Sequence, residues 1–305
     1  MKYINLGGSG LRVSAVSLGC MRISDMEKSE VSKLVGTAME QGINFFDHAD
    51  IYGGGKSEEI FAQAVGMNAG VREKMLIQSK CGIRKGFFDF SKEYILESVD
   101  GILKRLKTDY LDVLLLHRPD TLMEPEEVAE AFTLLQESGK VRNFGVSNQN
   151  PMQIELLGRY LRQPIIANQL QLSLASTGMI DSGLNVNMKI SPSIDRDGGV
   201  LEYCRLKSIT IQCWSVVQYG FFEGTFLGSE KYPELNRTLE RLAEEKSVTP
   251  TTIAIAWLLR HPARMQAIVG TTKSARVIES ARAADVELSR PEWYELYRAA
   301  GNQLP

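Results

Sequence analysis

Short apolar or β-branched runs alternate along the chain with longer stretches whose apolar residues recur at helical spacing, which predicts repeated βα units. Eight candidate strands follow, at residues 16–19, 43–47, 76–80, 112–116, 143–146, 165–170, 209–214 and 267–270. The helices between them carry legible inward faces: Val31, Leu34, Val35, Ala38 and Met39 in one, Ile95, Val99, Ile102, Leu103 and Leu106 in another, and Val128, Ala131, Phe132 and Leu135 in a third. Pro125 and Pro151 suit a first helical turn, Asn150 can cap the helix after it, and Gly42 and Gly139 follow helices as stops.

Eight strand–helix repeats predict an α/β fold, a closed (β/α)8 TIM barrel rather than an open doubly wound sheet, whose first βα turn often carries a Gly-x-Gly-x-x-Gly fingerprint. None follows the first strand here. Residues 2–13 predict an N-terminal β-hairpin turning on Gly7-Gly8-Ser9-Gly10, and residues 291–300 an extra C-terminal helix with Trp293, Leu296 and Tyr297 inward. The whole chain, 1–305, reads as a single domain.

Charge and cysteine usage narrow the partners. The 35 Lys and Arg against 37 Asp and Glu give a formal net charge of −2, which provides no cationic excess to hold nucleic acid or an anionic membrane. Charges interrupt every apolar run before it could span a bilayer, and the first residues lack the pattern of a signal peptide. The 4 Cys, at 20, 81, 204 and 213, include no Cys-x-x-Cys pair, which suits a reducing compartment. The expectation is a cytoplasmic protein acting on a small molecule, with Cys20 and Cys81 as packing residues.

A barrel of this kind collects its chemistry at the C-terminal ends of the strands, and polar residues fall there repeatedly. The second strand ends in Asp47-His48-Ala49-Asp50-Ile51-Tyr52, the third in Gln78-Ser79-Lys80, the fourth in His117, the fifth in Ser147-Asn148, the sixth in Asn168-Gln169, the seventh in Trp214-Ser215 and the eighth in Gly270-Thr271. Lys80, directly after an apolar strand, needs a counter-ion, and Asp47 is the obvious one. A purely structural ion pair would explain those two alone. With Tyr52 and His117 nearby, a catalytic reading becomes available: a phenol can donate its proton if a cation stabilises the phenolate, and Lys80 is expected to lower the Tyr52 pKa by roughly 1 to 3. His117 would then orient a carbonyl oxygen.

Other chemistries are weaker. Metal binding by His48, His117, Asp47 and Asp50 lacks a His-x-His pair or a His-Glu-x-x-His helix, so no metal is expected. His261, beside Pro262 at a helix end, reads as a dipole partner. Gly55-Lys56-Ser57 has Asp50 where a P-loop needs its first glycine, and Lys273-Ser274 follows Thr272, so neither is a phosphate loop. Glycines 53 to 55 read as a turn that lets Tyr52 face the strand ends before a helix beginning near Ser57.

Residues Gly42-Ile43-Asn44-Phe45-Phe46-Asp47-His48-Ala49-Asp50-Ile51-Tyr52-Gly53 resemble the aldo-keto reductase signature. The resemblance continues through Ser79-Lys80, Leu115-Leu116-His117-Arg118-Pro119-Asp120, Gly139-Lys140-Val141-Arg142-Asn143-Phe144-Gly145-Val146-Ser147-Asn148 and Asn168-Gln169, and within the superfamily the chain is similar to the bacterial YdhF-like oxidoreductases. It implies a (β/α)8 barrel binding NADPH in extended form, with Asp47, Tyr52, Lys80 and His117 as a catalytic tetrad. It further implies that Ser147, Asn148 and Gln169 meet the nicotinamide carboxamide, that Trp214 stacks on the ring, and that Gly19, Met21, Ser215 and Gly220 contact the cofactor. Gly270, Thr271, Lys273, Arg276, Glu279 and Ser280 match the positions that hold the 2′-phosphate and adenine, which favours NADPH over NADH. The loop 214–220 lacks the proline and successive glycines common in relatives, Gly270 replaces a frequent lysine and Ser280 a frequent asparagine.

The function so implied is NADPH-dependent reduction of an aldehyde or ketone, with Tyr52 as general acid. Proteins of this fold also serve as non-catalytic NADPH-sensing subunits, and Lys80 could in principle be an aldolase Schiff-base nucleophile. Substrate choice is expected from the loops after strands four, six and seven, especially residues 174–199 and 221–232, with Phe221, Phe222, Phe226, Met179 and Met188 as candidate pocket walls.

Overall fold

In the computed structural model of the chain, which describes residues 1–305, eight parallel strands close into a barrel. They are Val16–Gly19, Phe45–Asp47, Leu76–Cys81, Val113–Leu116, Phe144–Ser147, Ile165–Gln171, Thr210–Trp214 and Gln266–Val269, and the eighth closes on the first through Ala267 opposite Val16. Both faces of each strand are covered, which is why the strands read as nearly continuous apolar runs. The second strand starts two residues later than expected because the Asn44 side chain is engaged with the hairpin, accepting from Ser14 N at 2.8 Å and donating to the Arg12 carbonyl at 3.1 Å.

Helices Lys28–Glu40, Lys92–Leu106 and Pro125–Glu137 bury the faces predicted for them, with Met39 at the edge of the core. Asn150 and Gln153 form a reciprocal capping box at Pro151–Gly158, and Ser289 with Glu292 does the same at Arg290–Ala299. In that last helix Trp293, Leu296 and Tyr297 are buried, and Trp293 stacks on Trp257 at 4.8 Å while each indole N–H donates to the other's backbone carbonyl. No helix is long and apolar enough to cross a membrane.

The hairpin Tyr3–Asn5 with Arg12–Ser14 plugs the N-terminal mouth of the barrel. Leu6 and Val13 from it pack with Phe45, Val113, Leu115, Ile166 and Ala167 in a separate apolar cluster. Only the opposite mouth, at the strands' C-terminal ends, is left open. All four cysteines are free and buried, and burial raises each thiol pKa, which makes them packing residues. His261 departs from expectation: burial first, then Arg205 and Arg260, pulls its pKa to about 4, so it is neutral and serves as an acceptor for the Ala263 N–H at 3.2 Å rather than as a cation at a helix end.

The chain leaving the second strand is held against the third by His48 N to the Gln78 carbonyl at 2.8 Å and Asp50 N to the Lys80 carbonyl at 3.0 Å. It then makes the 3-10 turn Tyr52–Gly55 and enters helix Lys56–Val65. Gly53 has φ 59°, and a Cβ there would lie 2.4 Å from Ser24 Cβ; Gly55 has φ 92°, and a Cβ there would lie 2.8 Å from Arg105 Cδ. Both positions therefore require glycine. Beneath the turn, fully buried Glu58 accepts from Ser79 Oγ and Arg105 Nε, each at 2.7 Å. Asp50 accepts from Ser98 Oγ at 3.3 Å and Tyr94 OH at 3.4 Å, while its Oδ1 has no partner.

Burial, only partly opposed by Ser98, Arg105 and Tyr94, raises the Asp50 pKa to about 6. An unfolded Asp titrates near ~3.9, so this group favours the fold most below that value and its contribution is lost as pH rises through 6. Asp50→Asn is expected to gain stability relative to the parent by on the order of 1 to 3 kcal/mol between pH 4 and pH 8, read from urea unfolding midpoints. A difference constant across that range would contradict the burial argument.

Candidate active site

Lys80, near the C-terminal end of the third strand, is fully buried. Its Nζ donates to Asp47 Oδ2 at 2.8 Å, to the His48 carbonyl at 2.7 Å and to Tyr52 OH at 3.1 Å, one acceptor for each ammonium proton. Burial disfavours its charge, but the Asp47 carboxylate and Tyr52 outweigh that and raise its pKa. Because the ammonium donates to the phenolic oxygen, the Tyr52 proton is free to point away from Lys80 into the cleft.

Asp47 is fixed from its other side. Its Oδ1 accepts from Gln78 Nε2 at 2.6 Å and Gln169 Nε2 at 3.0 Å. Gln212 Oε1 accepts from the same two amides at 2.9 and 3.3 Å, and Gln212 Nε2 donates to Gln266 Oε1 at 2.8 Å. Strand register explains the layer: Asp47 pairs with Gln78, Gln169 with Gln212, and Gln212 with Gln266, so these residues share one level of the barrel interior. An amide layer thus lies beneath the tetrad where barrels of this kind more often carry branched aliphatics. Gln169 was already a candidate from its motif, and Gln78 was quoted in the third strand without a role; Gln212 and Gln266 were missed, although glutamine inside otherwise apolar runs was the available signal.

His117 lies edge-on to Tyr52, with ring centroids 5.9 Å apart, and lines the cleft. Burial first, then the charges of Lys80 and Arg118, pulls its pKa well below the usual imidazole value, so it is neutral. Its buried Nδ1 has no partner, which favours the tautomer with the proton on Nε2. Asp47, Tyr52, Lys80 and His117 are thus brought together at one mouth of the barrel. One electrostatic expectation is corrected: the Tyr52 pKa is raised, because burial outweighs the nearby Lys80 charge and Asp47 adds to burial.

The cleft has a volume of about 770 Å³ and runs from the tetrad to the helix Ser274–Arg282. Of the residues expected to contact the cofactor, Gly19, Met21, Ser147, Asn148, Gln169, Trp214, Ser215, Gly270, Thr271, Lys273, Arg276 and Ser280 line it. Gly220 and Glu279 do not. Gly220 sits at the tip of the small hairpin Gln218–Tyr219 with Gly224–Thr225, where its carbonyl accepts from Gln171 Nε2 at 2.7 Å. The carbonyl of half-buried Glu279 accepts from Thr252 Oγ1 at 2.9 Å. Lys80 is also absent from the lining, being fully buried behind Asp47 and Tyr52.

Of the expected apolar walls, Phe221 and Phe222 line the cleft, packed about Trp214 at 6.2 and 5.6 Å. Phe226 and Met179 belong to the main core instead, and Met188 lies outside the cleft. The segment 174–199 contributes no lining residue, because helix Gly178–Leu184 folds it onto the barrel wall. Residues that the sequence reading did not select include Arg22, Ile51, Ile83 and Arg118.

The cleft fits an extended anionic dinucleotide on its own geometry. Helix Ser274–Arg282 opens without a side-chain cap, while Lys273 and Arg276 from its beginning line the cleft, so amides and cations converge at one end. At the other end, Gln169 Nε2 is committed to Asp47 and Gln212, which leaves its Oε1 as an acceptor, and Asn148 Nδ2 donates to Ser147 Oγ at 2.7 Å. Trp214 is anchored beside them through Nε1 to Asn148 Oδ1 at 3.3 Å. No grouping of three His, Cys, Asp or Glu side chains is arranged to hold a metal.

Comparison with known proteins agrees with this architecture. The family model described as the aldo/keto reductase family matches residues 15–300. Over 304 residues the chain is 33% identical to a 6-dehydroglucose reductase of Agrobacterium fabrum, covering 95% of each chain. It is 31% identical over 317 residues to oxidoreductase YdhF of Escherichia coli, covering 100% of both. Among solved structures it superposes with a TM-score of 0.79 on the thermostable aldo-keto reductase Tm1743 bound to the inhibitor epalrestat, at 28% identity, covering 98% of this chain and 100% of that one. The chain belongs to the aldo/keto reductase family and is an NADP-dependent oxidoreductase of that type.

Proposed function

We propose that this protein, acting as a single domain over residues 1–305, reduces an aldehyde or ketone to the alcohol with NADPH and without a metal. The observation that carries the reading is the complete use of the Lys80 protons by Asp47, the His48 carbonyl and Tyr52, which turns the phenolic proton toward a cleft also faced by His117. Two donors, Tyr52 O–H and the neutral His117 Nε2–H, then meet one carbonyl oxygen, in the manner of an oxyanion hole.

When bound, the dihydronicotinamide supplies the hydride for the carbonyl carbon. Ser147, Asn148 and the Gln169 Oε1 would hold its carboxamide, Trp214 would cover one ring face, and Lys273 with Arg276 would take the 2′-phosphate. Tyr52 gives its proton to the oxygen as negative charge develops there, and the Lys80 ammonium 3.1 Å away stabilises the phenolate left behind. The raised Tyr52 pKa suits this direction, since the acid form persists through neutral pH. Four free thiols suit a reducing compartment, and we assign the protein to the cytoplasm.

Tyr52→Phe removes the phenolic proton together with the oxygen that accepts the third Lys80 proton. It is expected to lower kcat by roughly 10²- to 10⁴-fold while NADPH still binds, as followed by cofactor fluorescence titration. Turnover equal to the parent would reject Tyr52 as the acid. For the remote end, Arg276→Ala is expected to weaken NADPH by about tenfold or more and NADH far less, since a charge-assisted pair with phosphate is lost. Equal weakening of both cofactors would place the 2′-phosphate elsewhere.

A further inference from the structure

Buried and half-buried cations in this fold have carboxylate partners: Arg72 has Asp112 at 2.6 Å, Lys80 has Asp47 at 2.8 Å and Arg105 has Glu58 at 2.7 Å. Arg118 is the departure. It follows His117 directly, is half-buried in the cleft, and makes neither a salt bridge nor a hydrogen bond with any other group of the chain. Its guanidinium sits 5.8 Å from the Trp214 ring and 5.7 Å from the Phe221 ring, contacts that leave its N–H donors unused. Burial pulls its pKa below the ordinary guanidinium value, the mark of a cation desolvated without a counter-charge.

Nothing in the cleft supplies that counter-charge. Asp47 is the only carboxylate in the lining, and its oxygens are already taken by Lys80, Gln78 and Gln169. The remaining lining cations, Arg22, Lys273 and Arg276, lie toward the eighth strand, where Arg22 Nη1 donates to the Gly270 carbonyl at 3.2 Å. Arg118 is thus the one charged group beside the tetrad that still lacks a partner. A guanidinium presents a planar fork that matches a carboxylate with two parallel hydrogen bonds.

We infer that Arg118 anchors a carboxylate on the substrate, so that this enzyme takes a carbonyl compound bearing a carboxylate, with its carbonyl oxygen at Tyr52 and His117 and its apolar body against Trp214 and Phe221. This rests on the carbonyl-reduction reading above.

The test compares 3- and 4-formylbenzoate with their methyl esters, which share ring and aldehyde but differ in charge. In the parent enzyme with NADPH, kcat/KM is expected to favour at least one free acid over its ester by about tenfold or more, chiefly through KM. Arg118→Met should bring that acid-to-ester ratio to near one, and Arg118→Lys should restore part of it. A second readout needs no turnover: 3- and 4-methylbenzoate against their methyl esters, titrated into the NADPH-bound protein by calorimetry, should show the same preference and the same loss in Arg118→Met. Turnover of acids and esters without discrimination would overturn the anion anchor and leave carbonyl reduction standing. Discrimination in binding with no aldehyde reduced would do the reverse. A preference for acids that survives Arg118→Met would also overturn the inference.

Discussion

An ammonium group buried with no exposure is tolerable only if each of its protons finds an acceptor, and Lys80 meets that condition through one carboxylate, one carbonyl and one phenol. The constraint propagates in both directions. Toward the barrel axis it fixes one oxygen of the Asp47 carboxylate, and two glutamine amides donate to the oxygen that Lys80 leaves free. Toward the cleft it makes the Tyr52 oxygen an acceptor, which decides where the phenolic proton points. Removing one member of such a buried pair typically costs about 3–5 kcal/mol, because the partner is left charged and alone. Stability and chemistry at this mouth therefore share the same contacts.

The two ends of the barrel divide the work. At the N-terminal mouth, Leu6 and Val13 of the hairpin meet Phe45, Val113, Leu115, Ile166 and Ala167 in a buried apolar cluster. One level higher the interior becomes an amide layer of Gln78, Gln169, Gln212 and Gln266, and Gln78 Oε1 is left without a partner. Such a layer contributes less hydrophobic stabilisation than leucine or valine would, but it orients donors that an aliphatic layer lacks. The apolar plug and the packed helices supply the stability against which that polar level is maintained.

The barrel was legible in the sequence because strands covered on both faces must be apolar and helices packed on one side must be striped, and these two periods alternate without interruption. The tetrad was legible because its four residue types stand at strand ends. What escaped depends on neighbours distant in sequence. Phe222 and Phe226 have identical hydrophobicity, yet one lines the cleft and the other is fully buried, since burial is decided by where the hairpin Gln218–Tyr219 with Gly224–Thr225 turns. The net pKa of Tyr52 escaped for the same reason: the Lys80 charge is visible in sequence, whereas the desolvation that outweighs it is a property of the closed barrel. Arg118 was quoted as part of a motif, but its lack of a partner could emerge only when every nearby carboxylate had been located.

Backbone conformation at the open mouth shows the same dependence on distant neighbours. Lys107, Ser208 and Ser247 adopt positive φ just beyond helices, where a left-handed residue commonly ends the last turn. Asn187 with φ 63° and Arg264 with φ 53° lie outside the cleft, whereas Asn148 with φ 57°, Ser215 with φ 57° and Phe222 with φ 61° line it. Asparagine tolerates this conformation, but serine and especially phenylalanine do so at a cost that surrounding packing must offset. Here Trp214 supplies it: its indole bonds Asn148, its chain neighbour is Ser215, and its ring stacks on Phe222. These three cleft positions are thus tied to one another through a single aromatic side chain at the mouth, so that the platform beside the tetrad is set by tertiary contacts that override the preferences of the residues composing it.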